Sequence, residues 1–151
     1  MFLEIERKFL VSSFVSDGLR CKKMTQAYLA KDGATVRVRI ADEKAYLTIK
    51  GKTEGISRAE FEYEIPVKDA REMMNLAVYP PVVKTRYYVE VDEKTWEVDV
   101  FEGENEGLVM AEIELSSENE DFTLPKWAVK EVTGDTRYYN SHLAKHPYKS
   151  W

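Results

Sequence analysis

The sequence predicts a mainly β protein of the α+β class, built as a closed antiparallel barrel of eight strands with a charged interior. Two observations support this fold class. Apolar and charged side chains alternate with a period of two along most of residues 1–116, which is typical of strands with two different faces. Only two helices are predicted, too few to cover both faces of an open sheet, so we expect the sheet to close on itself.

Short turns separate the predicted strands and indicate antiparallel neighbours. Lys31-Asp32-Gly33, Ala41-Asp42-Glu43 and Asp92-Glu93-Lys94 each join two alternating segments, and residues 103–107 join the last two. The eight predicted strands are residues 3–10, 24–30, 34–41, 44–50, 57–65, 82–91, 95–101 and 109–116.

The two helices are predicted outside the barrel. Pro66 precedes the first, which spans residues 69–77 and has an apolar stripe. The second begins at a capping residue within 133–135 and ends near Lys145. All residues after Ser116 are predicted to lie outside the sheet.

Composition restricts the classes of function. The chain has 151 residues, the length of one domain, and a net charge of −5, so nucleic acid is not an expected partner. Cys21 is the only cysteine, which excludes an internal disulfide and suits a reducing compartment. With neither a long apolar segment nor a signal-peptide pattern, we expect a cytoplasmic protein without a membrane partner.

The polar face of the predicted strands consists almost entirely of Arg, Lys, Glu and Asp. A sheet with one ordinary solvated face is the simpler interpretation, but such faces usually also contain much Thr, Ser and Gln. The two signs are also separated by strand. Arg37 and Arg39 share one strand and Lys84 and Arg86 another, whereas the last two strands carry acidic pairs. We therefore predict that the charged face lines a tunnel.

Charges buried in such a tunnel require specific partners. Neighbouring carboxylates repel one another unless they are protonated or share a metal ion, and their hard oxygen atoms suit Mg²⁺ or Mn²⁺. Clustered Arg and Lys side chains require an anion. The pattern therefore predicts that the tunnel binds a phosphate chain together with divalent metal.

Several motifs resemble one known family. Glu4-Ile5-Glu6-Arg7-Lys8 is similar to the ExExK signature of the CYTH domain, also called the triphosphate tunnel metalloenzyme family, and residues 35–39 resemble its TxRxR strand. Similar charged motifs follow in the family's order at 47–51, 58–64, 84–86 and 112–114, and residues 131–140 resemble the tail of short bacterial members. A single motif of this kind is weak evidence for the family, because Glu and Lys are common residues. Six charged motifs in the family's order are strong evidence, and the match covers essentially the whole chain.

The resemblance implies a role for each charged position. Five carboxylates are expected to hold metal: Glu4, Glu6, Asp99, Glu112 and Glu114. Seven cations are expected to bind phosphate: Lys8, Arg37, Arg39, Lys50, Arg58, Lys84 and Arg86. The expected catalytic residues are Glu112, Glu114 and Lys8. Further candidates for the tunnel wall are Tyr28, Glu60, Glu62, Glu90 and Glu97. The family also uses a C-terminal lysine, for which Lys126, Lys130 and Lys145 are candidates.

The resemblance implies hydrolysis of inorganic triphosphate with Mg²⁺ or Mn²⁺. Direct attack by water is expected, because no Ser-His-Asp or Cys-His arrangement is evident. Other members of the family hydrolyse thiamine triphosphate or cyclise ATP as class IV adenylate cyclases, and both activities remain alternatives. A non-catalytic module that binds polyphosphate or nucleotide is another. The pattern also predicts a homodimer, because two helices are too few to cover the apolar exterior of the barrel.

Overall fold

The computed structural model describes residues 2–151 and confirms the predicted closed barrel. Each neighbouring pair of strands is antiparallel, in the order β5-β4-β3-β2-β6-β7-β8-β1, and β1 also pairs with β5. This last pairing closes the barrel. The eight barrel strands are β1 (Phe2–Val11), β2 (Cys21–Ala30), β3 (Thr35–Ala41), β4 (Lys44–Lys50), β5 (Ser57–Ile65), β6 (Val82–Val91), β7 (Lys94–Phe101) and β8 (Val109–Glu114).

Tight turns hold neighbouring strands in register. The turn between β6 and β7 has positive φ at Asp92 (48°) and Glu93 (66°), the conformation that matches the twist of a two-residue hairpin. Because the side-chain period of a strand is two, this register places Arg86 opposite Asp99 and Tyr88 opposite Glu97. The hairpins therefore align the charged residues of neighbouring strands on the inner face.

The prediction that the whole tail lies outside the sheet is wrong. Ala128–Glu131 forms a ninth strand, β9, which pairs antiparallel with β1 at Phe9 and Leu10. The physical reason is the length of β1. On one edge, β1 pairs with β5 only through Phe2–Ile5, so the backbone groups farther along that edge are available to β9.

Both helices differ in extent from their predictions. The first, α1, spans Val67–Met74 and follows Pro66 directly. The second, α2, is confined to Asn140–Lys145, because Asp135 caps a preceding 3₁₀ turn by accepting a hydrogen bond from the Arg137 backbone N–H. No helix within residues 2–151 has both the length and the apolar character needed to cross a bilayer.

The apolar outer faces of the strands pack against three separate covers. Trp96 on β7 makes edge-on contacts with Phe122 and Trp127 of the tail. Helix α1 packs on β2, β3 and β4 around Val38, and α2 packs near Phe101. Since the apolar side chains face outward, the charged side chains face the barrel interior.

Candidate active site

The barrel encloses a cavity of about 220 Å³ whose wall is mostly charged. Of the seventeen different site residues predicted from the sequence, fifteen line it. They are Glu4, Glu6, Lys8, Tyr28, Arg37, Arg39, Lys50, Arg58, Glu60, Glu62, Lys84, Arg86, Glu97, Glu112 and Glu114. The barrel therefore brings together charged residues from seven of its eight strands and Tyr28 from the remaining strand.

Asp99 and Glu90 are not among the lining residues. Asp99 is buried behind the wall, where its carboxylate accepts hydrogen bonds from Lys84 Nζ at 2.7 Å and from Arg86 Nε and Nη2 at 2.8 and 3.0 Å. Glu90 lies exposed near the β6–β7 turn and accepts a hydrogen bond from Thr95 Oγ1. Glu90 shares the inner face of β6, but that end of the strand extends past the cavity.

The candidate C-terminal lysines also lie outside the cavity. Lys126, Lys130 and Lys145 are exposed, and the Lys145 ammonium lies 5.8 Å from the centre of the Tyr79 ring. The tail instead contributes Tyr139, Asn140 and Ser141 to the lining, which sequence reasoning did not assign to the site. These three residues precede or begin a short helix, where no strand alternation signals which side chain faces inward.

The cations of β3 and β6 form one part of the lining, here called the basic wall: Arg37, Arg39, Lys84 and Arg86. Burial, followed by repulsion from Arg37 and Arg86, lowers the pKa of Arg39 to about 9, which leaves it protonated at pH 7. Burial also lowers the pKa of Lys84, although the Asp99 carboxylate opposes the change. In residues 2–151, the buried Arg37 Nε–H has no acceptor. The basic wall is therefore suited to a polyanion.

The carboxylates of β1 and β8 form the acidic wall: Glu4, Glu6, Glu112 and Glu114. Glu6 lies opposite Glu114 in the strand register, and Lys8 lies opposite Glu112. Three cations approach this wall from neighbouring positions. Lys50 Nζ is 3.0 Å from both Glu4 oxygens, Arg58 Nε is 3.4 Å from Glu4, and Lys8 Nζ is 3.6 Å from Glu112.

The carboxyl groups of the acidic wall differ in protonation. Burial, with repulsion from Glu112 and Glu4, raises the pKa of Glu6 to about 8. Burial acts in the same direction on Glu112, but the charges of Lys8, Arg86 and Lys84 outweigh it and hold the pKa of Glu112 well below its usual range. At neutral pH the wall therefore contains a protonated Glu6 beside an ionised Glu112.

Glu6 makes the stability of the metal-free protein dependent on pH. The pKa of Glu6 is higher in the folded protein, about 8, than its ordinary value of 4.5, so folding retains a proton that the unfolded chain releases. Its contribution to stability is therefore present below about pH 4.5 and is lost as the pH rises to about 8. We expect Glu6→Gln, whose side chain cannot ionise, to gain Tm relative to wild type between about pH 4.5 and about pH 8, measured in EDTA; a constant difference in Tm over this interval would contradict the raised pKa of Glu6.

The acidic wall has the donor chemistry of a Mg²⁺ or Mn²⁺ site that is completed by substrate. Within residues 2–151, no three His, Cys, Asp or Glu side chains converge as a ready-made metal cluster. Mg²⁺, however, commonly binds through one or two carboxylates together with phosphate oxygens and water. A divalent cation would also offset the burial and the repulsion that together raise the pKa of Glu6. The residues present therefore fit such a metal.

Comparison with known proteins agrees with this geometry. The CYTH domain model matches residues 3–143. The chain is 49% identical to an inorganic triphosphatase from Acetivibrio thermocellus, over 98% of this chain and 97% of the relative. It is 36% identical to an inorganic triphosphatase from Nitrosomonas europaea, over 93% of this chain and 96% of the relative. It also matches the crystal structure of an inorganic triphosphatase with a TM-score of 0.69 and 34% identity, over 93% of this chain and 97% of that one.

Proposed function

The chain belongs to the CYTH domain family, and we propose that it hydrolyses inorganic triphosphate with Mg²⁺ or Mn²⁺. The observation that carries this proposal is a cavity inside the barrel in which a basic wall and an acidic wall face one space. The basic wall suits a phosphate chain and the acidic wall suits a divalent cation. The two relatives named as inorganic triphosphatases support the same substrate.

The size and lining of the cavity favour an inorganic substrate over an organic triphosphate. Its volume of about 220 Å³ lies below the roughly 300–1,000 Å³ of pockets that enclose drug-sized ligands. Among residues 2–151, the aromatic side chains that line it are Tyr28 and Tyr139, and the ring of Tyr139 already packs near Lys8 Nζ, at 5.0 Å. The cavity itself therefore offers little room for adenine, ribose or thiamine beside a triphosphate.

Substrate binding is assigned to the basic wall together with Lys8, Lys50 and Arg58. The basic wall would hold phosphate oxygens by charge-assisted hydrogen bonds, including one from the Arg37 Nε–H, which has no acceptor within residues 2–151. Lys8 lies between the carboxyl groups of Glu6 and Glu112, and the charge of the ionised Glu112 raises its pKa despite burial. Lys8 therefore remains protonated and can donate to a phosphate oxygen near the acidic wall.

The metal-binding residues in this proposal are Glu4, Glu6, Glu112 and Glu114. When bound, the ion would neutralise negative charge on the phosphate oxygens. Asp99 is reassigned from metal binding to the positioning of Lys84 and Arg86, since those two cations engage both of its oxygens.

Hydrolysis is proposed to proceed by direct attack of water. Cys21, His142 and His146 are not among the residues that line the cavity, so no thiol or imidazole nucleophile is assigned. Glu112 is held ionised, and Glu114 lies two residues further along the same face of β8. Their carboxylates can accept hydrogen bonds from a water and orient it toward the terminal phosphorus, which is the main requirement of phosphoryl transfer beyond charge neutralisation.

Phosphate release from the purified protein tests the proposal. Tripolyphosphate, ATP and thiamine triphosphate are compared with Mg²⁺, Mn²⁺ or EDTA. We expect release from tripolyphosphate to be fastest and to be lost in EDTA. Preference for another substrate would replace the proposed one, and the absence of release with a Tm increase on adding tripolyphosphate would indicate a binding module instead.

We also propose that two copies associate through the outer face of β5 and its neighbour β1. Phe61 and Tyr63 on β5 are 38% and 57% exposed, and Leu3 on β1 is 51% exposed. Neither α1 nor the tail covers these side chains, and burying them would be favourable. Light scattering should give the mass of a dimer, and Tyr63→Glu should shift it toward a monomer; a wild-type monomer at micromolar concentration would contradict the proposal.

The cytoplasm is the proposed compartment. Cys21 is a free, exposed thiol, and such thiols persist most readily under reducing conditions. Cell fractionation tests this assignment, and recovery of the protein in an oxidising compartment would contradict it.

A further inference from the structure

Asn140 brings a neutral side chain from the tail into the cavity lining. It is the first residue of α2 and is only 9% exposed. Its Oδ1 accepts hydrogen bonds from Lys84 Nζ at 2.9 Å and from Gln26 Nε2 at 3.1 Å. The tail is thereby joined to the side chains of β2 and β6 inside the barrel.

The partners of Asn140 determine which way its carboxamide points. An ammonium group can only donate, so the atom of Asn140 that faces Lys84 must be the oxygen. Gln26 is oriented as well, because its Oε1 accepts a hydrogen bond from Arg39 Nε at 2.8 Å and its Nε2 is therefore the donor to Asn140. With Oδ1 directed at these two donors, the Nδ2 amide group of Asn140 is directed away from them.

We propose that Asn140 is a substrate-binding residue whose Nδ2 amide donates a hydrogen bond to a phosphate oxygen of the bound triphosphate. The inference rests on the proposed function, because it assigns a further contact in the same cavity. A neutral donor suits this position. The four cations of the basic wall already repel one another, and an amide adds a hydrogen bond to phosphate without adding positive charge.

Asn140 could instead act only by positioning Lys84, and a double-mutant cycle separates the two roles. The four proteins are wild type, Asn140→Ala, Lys84→Met and the double variant. The loss of the contact with Gln26 does not confound the comparison. Gln26 Nε2 also donates a hydrogen bond to the Tyr28 hydroxyl at 3.0 Å, so its side chain remains held when Asn140 is replaced. A direct contact of Asn140 with phosphate predicts the same loss of affinity with or without Lys84.

The measurements are the Kd for tripolyphosphate in EDTA, by calorimetry, and KM and kcat with Mg²⁺. We expect Asn140→Ala to weaken binding about tenfold or more in both backgrounds, the range for a hydrogen bond to a charged group. Asn105→Ala is the matched control. Asn105 is also a buried asparagine, with Oδ1 accepting the Tyr148 backbone N–H at 2.8 Å, but it does not line the cavity, so its Kd should equal that of wild type.

Three outcomes would overturn the inference. The first is an unchanged Kd in Asn140→Ala, and the second is a loss of affinity that disappears in the Lys84→Met background. If Asn140→Ala does not fold, as judged from its Tm, Asn140→Asp replaces it, since this variant keeps the acceptor for Lys84 and loses the amide; wild-type affinity in Asn140→Asp is the third. Wild-type protein that neither binds nor hydrolyses tripolyphosphate would instead refute the proposed function itself.

Discussion

Replacing Glu114 with alanine should remove nearly all metal-dependent hydrolysis of tripolyphosphate, while the barrel remains folded. Glu114 ends β8 opposite Glu6 and lines the cavity beside the proposed metal-binding carboxylates. Removing a preorganised group that acts on the transition state typically lowers kcat by about 10²–10³. Phosphate release with Mg²⁺ at saturating tripolyphosphate measures the effect, and Glu114→Gln should show a similar loss because an amide is a poor substitute for a metal-binding carboxylate.

Stability should change little in the same variant. The Glu114 side chain is largely exposed, and the partial burial of its carboxyl group, followed by repulsion from Glu4 and Glu60, raises its pKa. Removing such a group usually changes the free energy of unfolding by no more than about 0.5 kcal/mol. Glu64→Ala is the control, since Glu64 is an exposed carboxylate of β5 that does not line the cavity. Near-normal activity in Glu114→Ala would remove Glu114 from the mechanism.

Replacing Asp99 with alanine should cause a large loss of stability. Asp99 is 1% exposed and accepts hydrogen bonds from both Lys84 and Arg86. Its removal leaves two buried cations without their carboxylate, and breaking a buried pair in this way costs about 3–5 kcal/mol. Denaturant unfolding at pH 7 measures the difference. Tripolyphosphate should recover part of the lost stability, because the anion compensates the two cations that have lost their carboxylate.

The stabilising effect of Asp99 should also disappear in acid. Burial would raise the pKa of this carboxyl, but Arg86 and Lys84 outweigh burial and hold it at about 2, below the ordinary value of 3.8. The contribution of Asp99 to stability is therefore present above about pH 4 and is lost as the pH falls toward 2. The difference in unfolding free energy between wild type and Asp99→Ala should decrease over this interval.

A surface pair provides the matched control for Asp99. Arg137 binds Asp135 through Nε and Nη2, as Arg86 binds Asp99, but the pair is exposed. Solvent screens such pairs, so Asp135→Ala should change the Tm far less than Asp99→Ala, even though it also removes a cap. If Asp99→Ala kept its stability and instead lost its metal dependence, Asp99 would return to the metal-binding set.

The barrel strands could be predicted because the pattern that specifies them lies in consecutive residues of the sequence. Alternation along each strand, such as Glu4, Glu6 and Lys8 against Ile5, is a property of consecutive residues, and a period of two assigns each side chain to a face. The short turns add the antiparallel neighbours. The pairing of β1 with β9 could not be predicted in this way, because β9 has only four residues and its place depends on where β5 leaves the edge of β1.

The sequence by itself determined the closed barrel, the charged inner face and the separation of basic from acidic strands. Only the tertiary structure decided how these charges pair. It placed Asp99 behind the wall between Lys84 and Arg86, left Glu90 outside the cavity, and inserted Asn140 from the tail in place of a lysine. The physical reason is that a face follows from a residue's parity along its own strand, whereas a partner depends on distances between atoms of different strands and of the tail, which exist only after the barrel has closed.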